Sequence, residues 1–541
     1  MTEPRRDTRW WGWGDPAEPA TLGENGERLL AERGISTTSD GLPPELGAVK
    51  IPAARPLPER VISAAGESNV FSGYEDRIRH AHGQNYMDLL ALRSGSLDHA
   101  PDAVIVPDSA ARIAPILEAC AAAGVAVVPF GGGSSVVGGV TPLKGDHETV
   151  VSLDLAGLRG IELDEKSLTA RLGAGLRGPE AETLLNDRGF MLGHFPQSFE
   201  YATIGGFAAT RSAGQSSSGY GRFDSLVSSV RLITPEAELS TLATPHTSIG
   251  PALREVVIGS EGVLGVIPDV DVRIRPLPDT RRYEAWIVED FEAGSEILRR
   301  LAQSDRLPTI IRISDVPETE VNLAMSLPSG VAGKIFKRYL KLRGRGGGSL
   351  VITGYEGTAQ AVHRSRSDVA AEIRRGGGVY LGQAAGKGWA KGRFHGPYLR
   401  EALLDRGVLV ETLETAHQWS RHRELYETVR SALESTLAAN GMDGVVMCHL
   451  SHAYRDGASL YFTVIASQGA EGGAVNWPKL KRAACEAIQS VGGTLSHHHA
   501  TGLDHTPYLE GEIGEAGLDA LTTLKERFDP AGIMNPGKLV P

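Results

Sequence analysis

The chain has 541 residues, 41% of them hydrophobic and 22% charged. That is ordinary globular usage, at a length that predicts about three to five structural units, and it excludes wholesale disorder. The formal net charge of −11 argues against a general nucleic-acid binder, which carries a basic face.

Cys120, Cys448 and Cys485 are the only cysteines. Their odd number and lack of C-x-x-C spacing give neither a disulfide framework nor a zinc site. A reducing compartment, the cytoplasm, is the expectation. No apolar region follows the charged start Met1-Thr-Glu-Pro-Arg-Arg-Asp, so no secretory signal is expected. The longest apolar stretch, Cys120 to Phe130, is too short to span a bilayer. The ending Leu539-Val-Pro541 is not a peroxisomal address.

Residues 1–98 open on an aromatic cluster, Arg9-Trp-Trp-Gly-Trp-Gly14, followed by proline-rich spacers. They read as an extended lead-in that packs on something larger, with Asp76 to Leu97 more helical. Residues 99–277 have α/β character. Asp102-Ala-Val-Ile-Val-Pro107 reads as a strand and Ala110 to Ala123 as a helix, with Ile113, Ile116, Leu117 and Cys120 on one face and Gly124 as its stop. Val125 to Phe130 is a continuous apolar strand, followed by the loop Gly131-Gly-Gly-Ser-Ser135. Residues 278–470 alternate strands with longer amphipathic helices, which predicts an α+β unit with an antiparallel sheet. Residues 471–541 place two helices around a histidine cluster.

Three small-residue motifs occur in order. Pro129-Phe-Gly-Gly-Gly-Ser-Ser135 lets backbone N–H groups converge on an anion without Cβ obstruction; a pyrophosphate is the natural guest. The dinucleotide pattern G-x-G-x-x-G fails because Val136 holds its last position. Ser198-Phe-Glu-Tyr-Ala-Thr-Ile-Gly-Gly206 leads to Thr210-Arg-Ser-Ala-Gly214. Ile258-Gly-Ser-Glu-Gly-Val-Leu-Gly-Val266 is the third. Each alone is an ordinary glycine turn as readily as a site.

Together they resemble the flavin-binding domain of the vanillyl-alcohol oxidase type. The resemblance implies FAD between two α/β subdomains. Its contacts would come from Pro129, Gly131, Gly132, Gly133, Ser134, Ser135, Ser198, Thr203, Ile204, Gly205, Arg211, Ser212, Gly214, Gly259, Ser260, Glu261, Gly262 and Leu264. Some members tether the flavin through a His in the first loop; none stands between Gly131 and Gly139, so the FAD is expected to be non-covalent. The implied fold class is α+β, a two-subdomain FAD-binding domain plus a cap domain with an antiparallel sheet.

Arg9-Trp-Trp-Gly-Trp-Gly14, Arg79-His-Ala-His-Gly83, Asp456-Gly-Ala-Ser-Leu-Tyr-Phe462 and Ser496-His-His-His-Ala-Thr-Gly502 are similar to the alkyldihydroxyacetonephosphate synthases, flavoenzymes of ether-lipid synthesis. The sequence departs from them at Thr501, where the family has a Val-like residue, and lacks a peroxisomal presequence, as a bacterial-type version would. The resemblance implies a redox-neutral exchange. The acyl group of an acyl-dihydroxyacetone phosphate is replaced by a long-chain alcohol through a covalent adduct at flavin N5. It makes Tyr461, His497, His498 and His499 catalytic and Arg312 and Arg400 substrate-binding. It also implies a homodimer.

The residues by themselves allow blander readings. The three histidines suit a solvated turn or a metal site as well as phosphate binding and proton transfer, and no metal is expected. If extended, His497 and His499 share one face and His498 the other. Tyr461 lies in an alternating strand, where packing is the usual role; acid–base work would follow if a neighbouring His or Arg lowered its pKa. Arg400 suits a phosphate or an ion pair. Arg312 stands inside an apolar strand and needs an anion to offset its burial. A loop within 340–395 carrying Lys387, Trp389, Lys391 and Arg393 is the expected peripheral contact with an anionic membrane. The alternative function is a FAD-dependent 2-hydroxy acid or alcohol dehydrogenase or oxidase, but such relatives show Glu-His-Gly where Ser496-His-His-His stands.

Overall fold

The computed structural model describes residues 3–18, 20–38, 41–326 and 331–540. The helix Ile113–Ala123 buries Ile113, Ile116, Leu117 and Cys120, and Gly124 ends it in the left-handed region at φ 63°, where a glycine carries no Cβ penalty. The strand Val125–Phe130 then pairs in parallel with Thr149–Asp154. Both are buried almost throughout, as a parallel ladder covered on both faces requires.

Val70–Phe71 adds an edge to this four-stranded sheet. The lead-in therefore joins the sheet of residues 103–154. Arg79 donates to the Thr8 carbonyl at 2.8 Å, His82 Nε2 lies 3.0 Å from the Trp10 carbonyl, and Arg93 bridges Glu401 at 2.9 Å and Asp405 at 2.6 Å. A second, five-stranded sheet follows between Ile161 and Arg273.

Residues beyond 277 build a seven-stranded antiparallel sheet, as the alternation of strands and helices predicts. Its order is Val379–Gly382, Thr280–Val288, Ser349–Gly357, Ile310–Ser314, Gly444–Ala453, Gly457–Ala466, Leu409–Gln418. The helix Trp419–Ala439 covers one face with Leu425, Val429, Leu433 and Leu437 at four-residue spacing. The opposite face turns toward residues 129–267, with which it lines one cavity. Gly473–Ser490 and Leu509–Phe528 are the two C-terminal helices, with the histidines between them.

The stretch expected to be a loop near Lys387 is the helix Gln383–Gly392. Arg393 turns inward, stacked over Phe195 and Phe394 at 4.7 and 4.8 Å, and is unavailable to a membrane. Stacking on two rings compensates a guanidinium that surface exposure would leave to water.

Candidate active site

Three strands in register make the first wall. Glu414 of Leu409–Gln418 stands opposite Tyr461 of Gly457–Ala466, and Tyr461 opposite His449 of Gly444–Ala453. Alternate residues share a face, so this polar row continues along the same face into Met447, Ile465 and Val410. All but Glu414 line one cavity of about 440 Å³, within the roughly 300–1,000 Å³ of ordinary small-ligand sites.

Glu414 organises the histidines. Its side chain is fully buried and accepts the N–H groups of His497, His498 and His499 at 2.6, 2.8 and 2.8 Å, plus the Ser496 hydroxyl at 2.9 Å. Three consecutive N–H groups converge only if the chain curls into a nest, so the triplet is not extended and the face assignment that extension would give does not apply. Burial pushes the Glu414 carboxyl up; His498 beside it, by charge and hydrogen bond, outweighs this and holds it well below the usual range. Backbone donors to the ionised form act in the same direction.

His498 and His499 line the cavity; His497 stands behind them. His497 Nδ1 is 3.0 Å from His498 Nδ1, and its Nε2 is 2.6 Å from the Tyr454 hydroxyl. His452 stacks on His497 at 5.2 Å. Burial pushes His452 well below its ordinary pKa, His497 and His499 to about 3, and His449 to about 4. These four imidazoles are neutral at pH 7. Ring nitrogens of His452, His497 and His498 lie within 4.8 Å of one another, a spacing that could hold a metal ion.

Tyr461 stacks on His449 at 4.8 Å and lies edge-on to His499 at 5.5 Å. Burial raises its hydroxyl pKa rather than lowering it, so Tyr461 keeps its proton at neutral pH. The anion that Arg312 requires is Glu318, 2.7 Å away. Burial pushes the Glu318 carboxyl up, but Arg312 and then His449, 3.1 Å away, hold it low. Arg400 lines the cavity. It donates to the carbonyl and side-chain oxygens of Gln84 at 2.8 and 3.1 Å, while its buried Nε has no partner.

The glycine loop makes the opposite wall. None of the N–H groups of residues 132–136 donates to a protein acceptor among the described residues, although all five residues line the cavity. A Cβ on Gly132 would fall 2.0 Å from the Tyr201 carbonyl oxygen, and Gly262, at φ +76°, would meet Pro129 at 2.9 Å. The loops close on each other only as glycines and leave unpaired donors facing inward, which fits a bound diphosphate. Pro129, Gly131, Gly132, Gly133, Ser134, Ser135, Ser198, Thr203, Gly205, Ser212, Glu261 and Gly262 line this side.

Ile204, Arg211, Gly214, Gly259, Ser260 and Leu264 do not line it. Ile204 and Leu264 are core. Arg211 turns outward to Glu255 at 2.9 Å, and the other three brace the loops from behind. Glu261 ties the two walls together: its buried carboxylate accepts Thr501 N–H and Gly502 N–H, each at 2.8 Å.

The sequence reading missed Glu414, Glu318, His449, His452 and Tyr454. Strand register joins Glu414 and His449 to Tyr461, while Glu318 stands on the helix Val316–Ser326; each lies in a different part of the chain.

A model described as FAD binding domain matches residues 101–243, and one described as FAD linked oxidases, C-terminal domain, matches residues 277–539. The alkyldihydroxyacetonephosphate synthase of Trypanosoma brucei brucei is 31% identical over 576 aligned residues, spanning 100% of this chain and 94% of the relative. The chain belongs to the alkyldihydroxyacetonephosphate synthase family. A solved alkyldihydroxyacetonephosphate synthase is 26% identical, with a TM-score of 0.84 over 98% of this chain and 99% of that one. A 4-ethylphenol oxidase from Gulosibacter chungangensis shares the fold, at 13% identity and a TM-score of 0.67 over 93% of this chain and 98% of that one. The fold is thus the expected α+β pairing of FAD-binding and cap domains. Its cofactor is FAD.

Proposed function

We propose that this protein exchanges the acyl group of an acyl-dihydroxyacetone phosphate for a long-chain alcohol, forming the ether bond of an alkyl lipid precursor. One observation carries the reading: a single cavity joins the glycine cradle, the Tyr461–histidine row and an apolar end at Val410, Met447 and Ile465. The names of the relatives quoted above support it.

FAD bound at the cradle supplies a nucleophilic nitrogen for the substrate carbon. The chain's residues do the rest. Unpaired N–H groups of residues 132–136 hold the cofactor diphosphate. Arg400, with its free Nε, and the neutral imidazoles offer donors to the substrate phosphate. Tyr461 gives its proton to the departing carboxylate and recovers one from the incoming alcohol. The apolar end holds the long chains and keeps out water, which would compete as a nucleophile.

Peripheral contact with a lipid surface belongs to the same reading. The helix Val331–Leu342 turns Ile335 and Leu342 to solvent at 62% and 78% exposure, beside exposed Arg338 and Lys341. No helix among the described residues is long and apolar enough to cross a membrane. A cytoplasmic location fits three unpaired, buried cysteines.

The test mixes FAD-loaded protein with palmitoyl-dihydroxyacetone phosphate and radiolabelled hexadecanol. Label in an alkyl ketone phosphate, with no reduction of an added dye, is expected. Dye reduction by a 2-hydroxy acid, with no labelled ether, would replace this reading with the dehydrogenase one.

A further inference from the structure

A second cavity, of about 60 Å³, shares Gly131, Gly132 and Gly133 with the main one. Its other walls come from the lead-in, between Arg5 and Trp13, and from Arg79, Arg177 and Tyr201. The lead-in precedes both segments that match the flavoprotein families. The exchange proposed above makes no use of this cavity, and the inference drawn from it does not depend on that reading.

The cavity has donors in excess. Four arginines, Arg5, Arg9, Arg79 and Arg177, line it against one carboxylate, Asp154. Both Asp154 oxygens are taken: Oδ1 accepts the Ala156 N–H at 2.9 Å, and Oδ2 lies 3.1 Å from His80 Nε2. Arg79 is satisfied by Glu75 and the Thr8 carbonyl. The other three arginines keep a buried N–H with no acceptor among the described residues. Arg5 donates through Nη2 to the Gly175 carbonyl at 2.9 Å and to Glu180 at 2.8 Å, and its Nη1 is left over. Arg177 grips Asp7 through both Nη atoms and leaves Nε. Arg9 is 4% exposed, with Nε unpaired; Asp405, 3.5 Å from its Nη1, is already held by Arg93 at 2.6 Å. Trp13, also buried, adds an indole N–H without an acceptor.

A buried donor left unpaired is costly, and a buried charge more so. Four of them around one cavity call for a guest that is rich in acceptors and negative. Water takes about 30 Å³ and brings no charge; a nucleotide or an acyl chain is too large. We propose that this cavity binds a small tetrahedral oxyanion of the phosphate class, gripped by Arg5, Arg9, Arg177 and the Trp13 indole. Guanidinium forks meet such oxygens in pairs. Arg177 sits over the Tyr201 ring at 5.1 Å, and Trp13 meets the same ring edge-on at 4.6 Å. The backbone of Tyr201 closes on Gly132, so the occupied site clamps the lead-in to the cradle.

The test titrates FAD-loaded protein calorimetrically with inorganic phosphate at constant ionic strength. One phosphate per chain is expected to bind at this site with FAD retained, and Tm should rise with phosphate concentration. Arg9→Gln should weaken that binding at least about tenfold. Arg5→Gln, at a side chain 17% exposed, should do the same and decides the matter if Arg9→Gln does not fold. A second arm names the source of the anion. Displacement of phosphate by dihydroxyacetone phosphate marks a site for a substrate head group; phosphate binding that resists it marks a site for the free ion. Absence of phosphate binding overturns the proposal. So does binding that both arginine variants keep, or that Arg400→Gln alone removes, which belongs to the main cavity. Phosphate bound only by FAD-free protein would lie in the cofactor's own diphosphate cradle and overturns it too.

Discussion

The two walls of the cavity handle charge by opposite means. The glycine wall presents backbone N–H groups with no protein acceptor among the described residues and few charged side chains. The sheet wall buries charge outright: Glu414, Glu318 and Arg312 stand among neutral imidazoles, each carboxylate matched by nearby donors. Backbone donors need no desolvated charge of their own and wait for an anion. Buried side-chain charge is costly unless paired, so the sheet wall is a finished network before any ligand arrives. On the function proposed above, the first wall holds the cofactor and the second moves protons and grips the substrate.

This contrast predicts separable failures. The largest effect is expected from Tyr461→Phe: exchange falls by about 10²–10⁴-fold while FAD absorbance is retained. Near-normal exchange in that variant would take proton transfer away from the row. Glu414→Ala strips the acceptor from three buried N–H groups and is expected to cost about 3–5 kcal/mol of stability, read as a lowered Tm in the FAD-loaded protein. Gly132→Ala is the converse case. Its Cβ would meet the Tyr201 carbonyl oxygen, so FAD affinity should drop by at least about tenfold at a cost of roughly 1–3 kcal/mol of local strain. Fluorescence titration with FAD measures it, and unchanged affinity would remove the cradle from cofactor binding.

A smaller effect concerns pH. Burial lowers the pKa of His499 to about 3. Between its ordinary value near 6.5 and 3, the unfolded chain binds a proton there that the folded one does not. Stability therefore rises with pH across that window and is lost as pH falls through it. His499→Gln should flatten that slope, by about 2 kcal/mol at pH 5 relative to pH 7; parallel denaturation curves at both pH values would contradict the assignment. Smallest is the linkage of the flavin: acid precipitation should leave all FAD in the supernatant, and yellow pellets would show a covalent bond.

Legibility in the sequence followed the same divide. The cradle was readable because its residues are contiguous: Gly131 to Ser135 must approach a ligand and one another, and that need is written in one stretch. Tyr461 and the histidine triplet were readable as local patterns, although the curl of the triplet was not, because the residue that causes it is Glu414 on another strand. His449 and Glu318 carry no local signal at all. His449 enters the site through strand register and Glu318 through the helix Val316–Ser326 that follows Ile310–Ser314. Arg312 was correctly marked as needing an anion, but a sequence cannot say whether that anion is a ligand or a neighbouring carboxylate. Arg393 was misplaced for a related reason. Its partners, Phe195 and Phe394, include a ring from the other domain.

The most direct measurement follows the oxygen atoms. Hexadecanol labelled with ¹⁸O, given to FAD-loaded protein with an acyl-dihydroxyacetone phosphate, should place the label in the alkyl ether. The released fatty acid should carry both oxygens of the original ester and no label. Label recovered in the fatty acid or its ester, with none in an ether, would contradict exchange at the substrate carbon.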